Sequence, residues 1–533
     1  MTPASSAAPS HRLKARLLTL AVAACIAAPA LADEPAADEQ PARVGLKPAP
    51  DTSFAADQRL TLAAGLEMPA RHGDIPSTWM AQNDKPGTIS ASAQRDWTSP
   101  TQPKKSYLIP AAEIIGFQTL LNLADRAIFG CCDYDVTLNT IQRNFNGRWV
   151  YDNDPYTVNQ LGHPYQGSMY HTFARSAGLN FWESLAYTFA GSAVWEIAGE
   201  TTPPSKNDQI TTGIGGAFLG ESLYRMANLV LEKGGGLSPK WREVVAAAIS
   251  PATGFNRLAF GNRFDSIWPS RSAAYYSRLA LGATHAIQES RGTSGDLKRN
   301  EGVLDFSLDY GLPGQPGYKY ERPFDYFSFQ ATASTGEGFE NLMTRGLLIG
   351  KDYDSGNRYK GVWGLYGSFD YISPQFFRIS STALSLGTTA EWRVTDKVAI
   401  QGTVLGGAGY ASVSTINGLR DNDYHFGIAP QALASFRLIF GNTASLDITG
   451  REYFVSDVAT DRQGRDGHDN IARADIALTW RIHKQHAVSV RYIYSHRDAN
   501  YPDLGDRSQS RGTIGIFYTL LGQDRFGSPV DWR

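Results

Sequence analysis

The chain has 533 residues, more than one hydrophobic core holds, since single cores stop growing near roughly 250–300 residues. A formal net charge of -2 with 19% charged residues excludes a basic protein built around nucleic acid. The 25 Phe, 25 Tyr and 11 Trp, at a mean hydropathy of -0.30, suit strands apolar on one face and polar on the other. They do not suit a bundle of spanning helices, and no apolar run long enough for one follows the start of the chain.

The chain opens on His11, Arg12, Lys14 and Arg16, then an apolar run from Leu17 to Ala32 that closes on Ala30-Leu31-Ala32. A charged segment, an apolar segment and an A-x-A site predict a secretory signal over residues 1–32. Val22-Ala23-Ala24-Cys25 is a competing lipoprotein-type signal, which would place a lipid on Cys25. Cleavage after Ala32 leaves Cys131 and Cys132, and adjacent cysteines strain the peptide between them if they pair. They read as small packing residues, and the chain is not a disulfide scaffold. Residues 33–105, rich in Ala, Pro, Asp and Gln without periodicity, predict a flexible periplasmic arm.

Residues 106–258 carry helical patterns broken by Gly and Pro and form a predicted helical domain. A helix is expected over Glu183–Ala198, with Ala186, Phe189, Ala190, Ala193, Val194 and Ile197 as its apolar face. Glu196 and Glu200 lie four apart near its end, where two carboxylates repel and the helix dipole disfavours both. They need solvent or a partner, and Arg175, His163, His171 or a metal ion would serve. Ser205 and Asp208 have capping-box spacing ahead of a helix through Ile210, Ile214, Phe218 and Leu219. Gly216 and Gly220 allow a close helix approach, and Glu221 and Arg225 form an i,i+4 pair. His163, before Pro164, is expected in a loop, and His171 at the start of a helix. Their spacing is not a zinc motif, and the chain has no HExxH, CxxC, G-x-S-x-G or Walker pattern. The catalytic candidates are His163, His171, Arg175, Glu196, Glu200 and Asp208, because titratable groups on apolar helices can serve as acid, base or anion binder. Metal and cofactor are left open.

From about residue 270 the period switches to two. Leu304, Phe306, Leu308 and Tyr310 alternate with Asp305, Ser307 and Asp309; Ala474, Ile476, Leu478 and Trp480 alternate with Arg473, Asp475 and Thr479. Tyr424, Phe426 and Ile428 alternate with His425, and the pattern returns around Arg437, around Arg491 and in a last strand with Phe517 and Tyr518. About twelve segments of spanning length fall between Ser272 and Leu520, separated by polar stretches such as Asp461–Asn470. The fold class is therefore α+β: a small helical domain, then a C-terminal transmembrane antiparallel β-barrel of about twelve strands over 259–533. A soluble sandwich also alternates, but strand length, aromatics near strand ends and the export signal favour the barrel. The polar tail to Arg533 after the last strand implies that the signal for barrel assembly is internal.

The stretch from Asn159 to Arg225 contains HPYQGSMY at His163–Tyr170, Ala174-Arg175, FWES at Phe181–Ser184, GSAVWE at Gly191–Glu196, PSKND at Pro204–Asp208 and GGAFLGE at Gly215–Glu221. In these elements, over roughly residues 110–258, the chain resembles the DUF3943 family of Gram-negative envelope proteins, whose activity is not established. The resemblance implies an envelope location and no mechanism. Two functions stay open. One is an outer-membrane barrel with its helical domain on the periplasmic side or in the lumen, serving envelope structure or transport. The other is a hydrolase or transferase of envelope lipid or glycan using the His/Arg/Glu cluster, so that enzymatic activity is undecided. Expected partners are outer-membrane lipid and the barrel-assembly machinery, without nucleic acid; the oligomeric state is open.

Overall fold

The computed structural model describes residues 105–529 apart from 130–131, 153, 235, 290–298, 415–423, 460–466, 502–505 and 523. The expected signal, Cys25, the arm up to residue 104 and Cys131 lie outside the described residues.

The helical block holds α1 (Leu108–Phe129), α2 (Leu138–Asn146), α3 (His163–Ser176), α4 (Phe181–Ala198), α5 (Lys206–Ile210), α6 (Gly216–Lys233), α7 (Pro239–Ile249) and α8 (Pro251–Phe260). Local chemistry sets its boundaries. Thr137 and Thr140 cap α2 reciprocally, and Asn180 and Glu183 do the same for α4, starting it two residues earlier than expected. Single π turns, Val158–Gly162 and Thr211–Gly215, feed directly into α3 and α6. His163 thus begins α3 with Pro164 in its first turn, where a missing N–H costs nothing, so both histidines share one helix rather than being split between loop and helix. Helices α3 and α6 pack with almost no gap: a Cβ on Gly167 would lie 2.0 Å from the Thr212 carbonyl oxygen, and one on Gly220 would lie 2.9 Å from His171 Cβ. The small-residue step at Gly216 and Gly220 serves this approach.

Twelve strands follow: β1 (Tyr275–Glu289), β2 (Asn300–Tyr310), β3 (Phe327–Ser334), β4 (Gly338–Ser355), β5 (Tyr359–Ile372), β6 (Ile379–Arg393), β7 (Val398–Ser414), β8 (Tyr424–Phe440), β9 (Ala444–Ala459), β10 (His468–His483), β11 (His486–Asn500) and β12 (Arg507–Leu521). Each pairs antiparallel with the next, and β12 closes on β1 with Ile516 opposite Ala283. His468, Asp469 and Asn470, expected in a loop, begin β10 instead. Leu386, Trp480 and Ile516 lie exposed on the outer row, while the alternate row is buried.

That inner row carries the charges expected for a lumen, and they neutralise one another. Arg437 bridges Asp447 (2.7 Å) and Asp309 (2.9 Å), Arg278 reaches Asp447 (2.9 Å), and Arg491 ties Asp475 to Asp305 (3.4 Å). Arg473 meets Glu340 at 3.3 Å, and His425 meets Asp469 at 3.4 Å. Apolar clusters lie toward both ends of the column. Tyr276, Leu312, Tyr326, Ile439 and Leu521 gather at the end where β1 starts and β12 stops; Ile372, Phe376, Phe377 and Val413 gather at the other. The segment after β12 turns inward: Phe526 lies beside Tyr276, and Ser528 Oγ donates to Glu391 at 2.9 Å.

The helical block contacts the outer row, so the lumenal placement expected as one alternative is not the one the contacts take. Ser222 Oγ lies 2.5 Å from Thr344 Oγ1, and Thr344 pairs with Phe369, which shares its strand face with exposed Trp363. Phe218 fills the space where a Gly367 Cβ would stand, Phe181 stacks on Phe324, and Tyr156 meets Tyr424 edge-on at 5.3 Å. Outward-facing Leu308, Tyr310, Phe329, Phe369, Tyr371 and Phe426 are buried beneath the block.

Candidate functional site

The six candidate residues are all buried, and they fall into two groups. The first centres on Glu221, which sequence reasoning had taken only as half of a helical ion pair. Its carboxylate meets Arg175 Nε at 2.8 Å, Arg225 Nε at 2.8 Å and His171 Nε2 at 3.1 Å. Arg175 also donates to the Leu179 carbonyl at 2.5 Å, and its guanidinium lies 4.5 Å from the Trp268 ring centre. Arg225 continues to Asp325 Oδ1 at 3.1 Å, in the connection between β2 and β3, where Arg271 and Arg322 also meet Asp325. Burial alone would raise the Glu221 pKa, but Arg175, His171 and Arg225 hold it well below the usual carboxylate range. Burial lowers the His171 pKa, so the ring is neutral and donates its Nε2 proton to the carboxylate, which can only accept. This chain of charges runs from the middle of the block into the barrel and reads as a clamp.

The second group is acidic. Glu196 Oε2 accepts the Ser205 amide at 2.8 Å; Glu200 accepts Trp195 Nε1 at 2.7 Å and Thr202 Oγ1 at 3.1 Å. The expected partners Arg175 and His171 are engaged with Glu221, and His163 faces Thr212 Oγ1 at 3.2 Å. Nor do the two carboxylates reach solvent. Amide, indole and hydroxyl donors stand in for a cation. The Ser205 hydroxyl accepts the Asp208 amide at 3.2 Å, one half of the capping box its spacing suggested; the Ser205 amide goes to Glu196 instead of Asp208. Asn207 Nδ2 joins Asp208 (3.2 Å) to Asp152 (2.8 Å), and Asn159 also donates to Asp152. Burial, then Asp154, pushes Glu200 up to about 8; burial, then Asp152, pushes Asp154 up to about 7. Burial with like-charge neighbours raises Glu196 and Asp208 well above the usual range, and burial lowers His163 to about 4. Near neutral pH this group therefore holds protonated carboxyls and a neutral imidazole, able to donate or relay protons. Among the described residues no three His, Cys, Asp or Glu are grouped to hold a metal ion. Ser168 Oγ donates to the Tyr165 carbonyl at 2.6 Å, so it is not held by a histidine as a nucleophile would be.

Sequence reasoning missed Glu221 as a hub, and with it Asp152, Asp154, Asn159 and Asn207. Glu221 and Asn207 stand in the GGAFLGE and PSKND elements, which was the signal available for them; Asp152, Asp154 and Asn159 lie outside both. Asp325 gave none, because it sits in a connection more than a hundred residues downstream.

A closed antiparallel barrel with an even strand number, apolar outside and ion-paired inside, defines a β-barrel of the outer-membrane type, here carrying helices on its wall. Residues 148–252, within the helical block, match the model of DUF3943, a domain of unknown function. The match starts after α2. No curated protein matches the chain in sequence. Among solved structures it is similar to the NanC porin, at 9% identity and a TM-score of 0.25, over 45% of this chain and 98% of the porin. It is also similar to the outer membrane channel DcaP of Acinetobacter baumannii, at 10% identity and a TM-score of 0.22, over 47% of this chain and 96% of the channel. The KdgM porin aligns at 9% identity and a TM-score of 0.20, over 45% and 98%. Likenesses this remote carry no inference about transport.

Proposed function

We propose that the protein is a structural element of the outer membrane, in which a non-conducting barrel is the platform for the DUF3943 block. One observation carries this reading: the lumen is spanned by paired charges around Arg437 and Arg491, with apolar clusters toward each end. Twelve strands lie between small barrels that side chains fill and wide porins, so the paired charges and apolar clusters decide how far this lumen is blocked. Outer-membrane lipid and the assembly machinery that inserts barrels are then its partners. Single-channel recording on the full chain in planar bilayers tests this. Silence at moderate voltage is expected, and steady ohmic steps would overturn it.

A second reading, an enzyme acting on envelope lipid or glycan, is favoured by the protonated acidic group around Glu196, Glu200 and Asp208 beside neutral His163. Lipid and glycan profiles of cells carrying His163→Ala or Glu196→Gln, read by mass spectrometry, test it. Wild-type profiles from both variants would remove it.

A further inference from the structure

The block is built inside out. In α4 the residues at four-residue spacing that turn inward are Ser184, Thr188, Ser192 and Glu196; those that turn outward are Trp182, Ala186, Ala190 and Val194. Of the apolar face read from the sequence, Ala186, Ala190 and Val194 are left uncovered and Phe189, Ala193 and Ile197 are half-buried. A helix on a water-soluble domain has the reverse arrangement. Helix α1 repeats it. Its buried side includes Gln118, which donates to Tyr170 Oη at 3.0 Å and to the Gly191 carbonyl at 2.6 Å. Its outer side carries Leu108, Ile115, Leu120 and Leu123, of which Leu120 is 68% exposed. The one charged residue between Leu108 and Leu123, Glu113, has both carboxylate oxygens enclosed.

These two faces are contiguous. Tyr187 Oη donates to the Tyr107 carbonyl at 2.5 Å, and Asn122 Nδ2 donates to the Gly199 carbonyl at 2.8 Å, so α1 and α4 run side by side. Ion pairs mark both ends of the shared surface, Lys105–Glu183 at one and Arg126–Asp135 at the other. From Leu108 to Leu123 the helix rises about 22 Å, of the order of a bilayer's hydrocarbon thickness. The barrel beneath agrees. Thr382 and Phe426 lie at the block's footprint, and Leu384, Leu386 and Ile428, the next outward residues on those strands, are exposed apolar side chains of the membrane belt. The footprint is therefore flanked by lipid-facing wall.

We propose that the outer surface of α1 and α4 faces the acyl chains of the bilayer, so that the DUF3943 block lies within the membrane plane beside the barrel, on neither its periplasmic side nor in its lumen. None of the described helices is long and apolar enough to cross a membrane by itself. The block is instead held at depth by the barrel, and the bilayer covers the face that water would leave unfavourably exposed.

The test uses the full chain with its 3 cysteines replaced by serine, reconstituted in phosphatidylcholine–phosphatidylglycerol vesicles. Nitroxide labels go singly on Leu120→Cys and Ala190→Cys, with Ile115→Cys and Val194→Cys as second positions should either of the first fail to fold. Leu386→Cys on the belt and Lys397→Cys in the β6–β7 turn are references. Power saturation then compares oxygen with a water-soluble nickel chelate. The proposal expects high oxygen and low chelate collision at α1 and α4, equal within about twofold to Leu386→Cys. Chelate accessibility like that of Lys397→Cys would overturn it. So would exclusion of both reagents, which would mean that a second copy or another protein covers the face.

Discussion

Replacing Glu221 by Gln tests whether the charge chain through α3, α6 and the barrel is a clamp. The change keeps shape and removes one negative charge between two guanidiniums, each 2.8 Å away, at a position with no solvent exposure. Removing one partner of a buried ion pair costs about 3–5 kcal/mol, because the remaining charge is left in a poorly polarisable site. Here the lower end applies. Arg225 keeps Asp325 at 3.1 Å and the Pro323 carbonyl at 2.6 Å, and Arg175 keeps the Leu179 carbonyl. A loss of about 3 kcal/mol corresponds to roughly a hundredfold faster opening-limited hydrogen exchange. The assay is native-state exchange read by mass spectrometry on peptides of α3 and α6, with peptides of β10 and β11 as reference. Protection should fall about a hundredfold in the helices and little in the strands. A change below threefold in the helices would refute the reasoning that Glu221 holds them together.

Two further outcomes follow from the block's interior. Stability of the block should decline as pH rises. The raised carboxyls are stabilised as neutral groups, so their contribution is complete below the unfolded carboxylate pKa near about 4 and is lost as pH climbs through the folded value, about 8 for Glu200. Protease protection of α4 and α6 measured from pH 5 to 9 should fall, and Glu200→Gln should flatten the slope; protection that grows with pH would contradict the assignment. Gly167→Ala places a methyl 2.0 Å from the Thr212 carbonyl and 3.1 Å from Gly216 Cα, both backbone atoms. It should cost at least about 1–3 kcal/mol by overpacking, whereas Gly450→Ala, with nothing within 4 Å, should be tolerated. Exchange protection of α3 checks the first and heat-modifiable gel migration of the barrel the second.

The barrel was legible because period two is a local property: Leu304 to Tyr310 and Ala474 to Trp480 announce their own outer face without knowing their neighbours. The alternate residues, Asp305, Arg437 and Arg491 among them, were equally readable as lumenal. What periodicity could not state was which outward stretches meet lipid and which meet protein. Leu304 and Leu308 look alike in sequence, yet Leu304 is exposed and Leu308 is buried under the block. The helical candidates were found as residue types and not as pairs: Arg175 was one of several partners open to Glu196 and Glu200, while its true partner, Glu221, lies 46 positions away. The apolar face of α4 was legible in the sequence, but what covers it was not, because an apolar stripe looks the same whether it packs a core or faces lipid.

The central claim is that the DUF3943 block docks on the outer wall of a closed barrel, and a disulfide pair tests it most directly. In the cysteine-free chain, Ser222→Cys with Thr344→Cys should oxidise rapidly in membranes, because the hydroxyls they replace lie 2.5 Å apart. Ser222→Cys with Arg345→Cys, one residue further along β4 and facing the lumen, should not. Efficient cross-linking of the second pair, or equal yields from both, would place the helices inside the barrel and contradict the account.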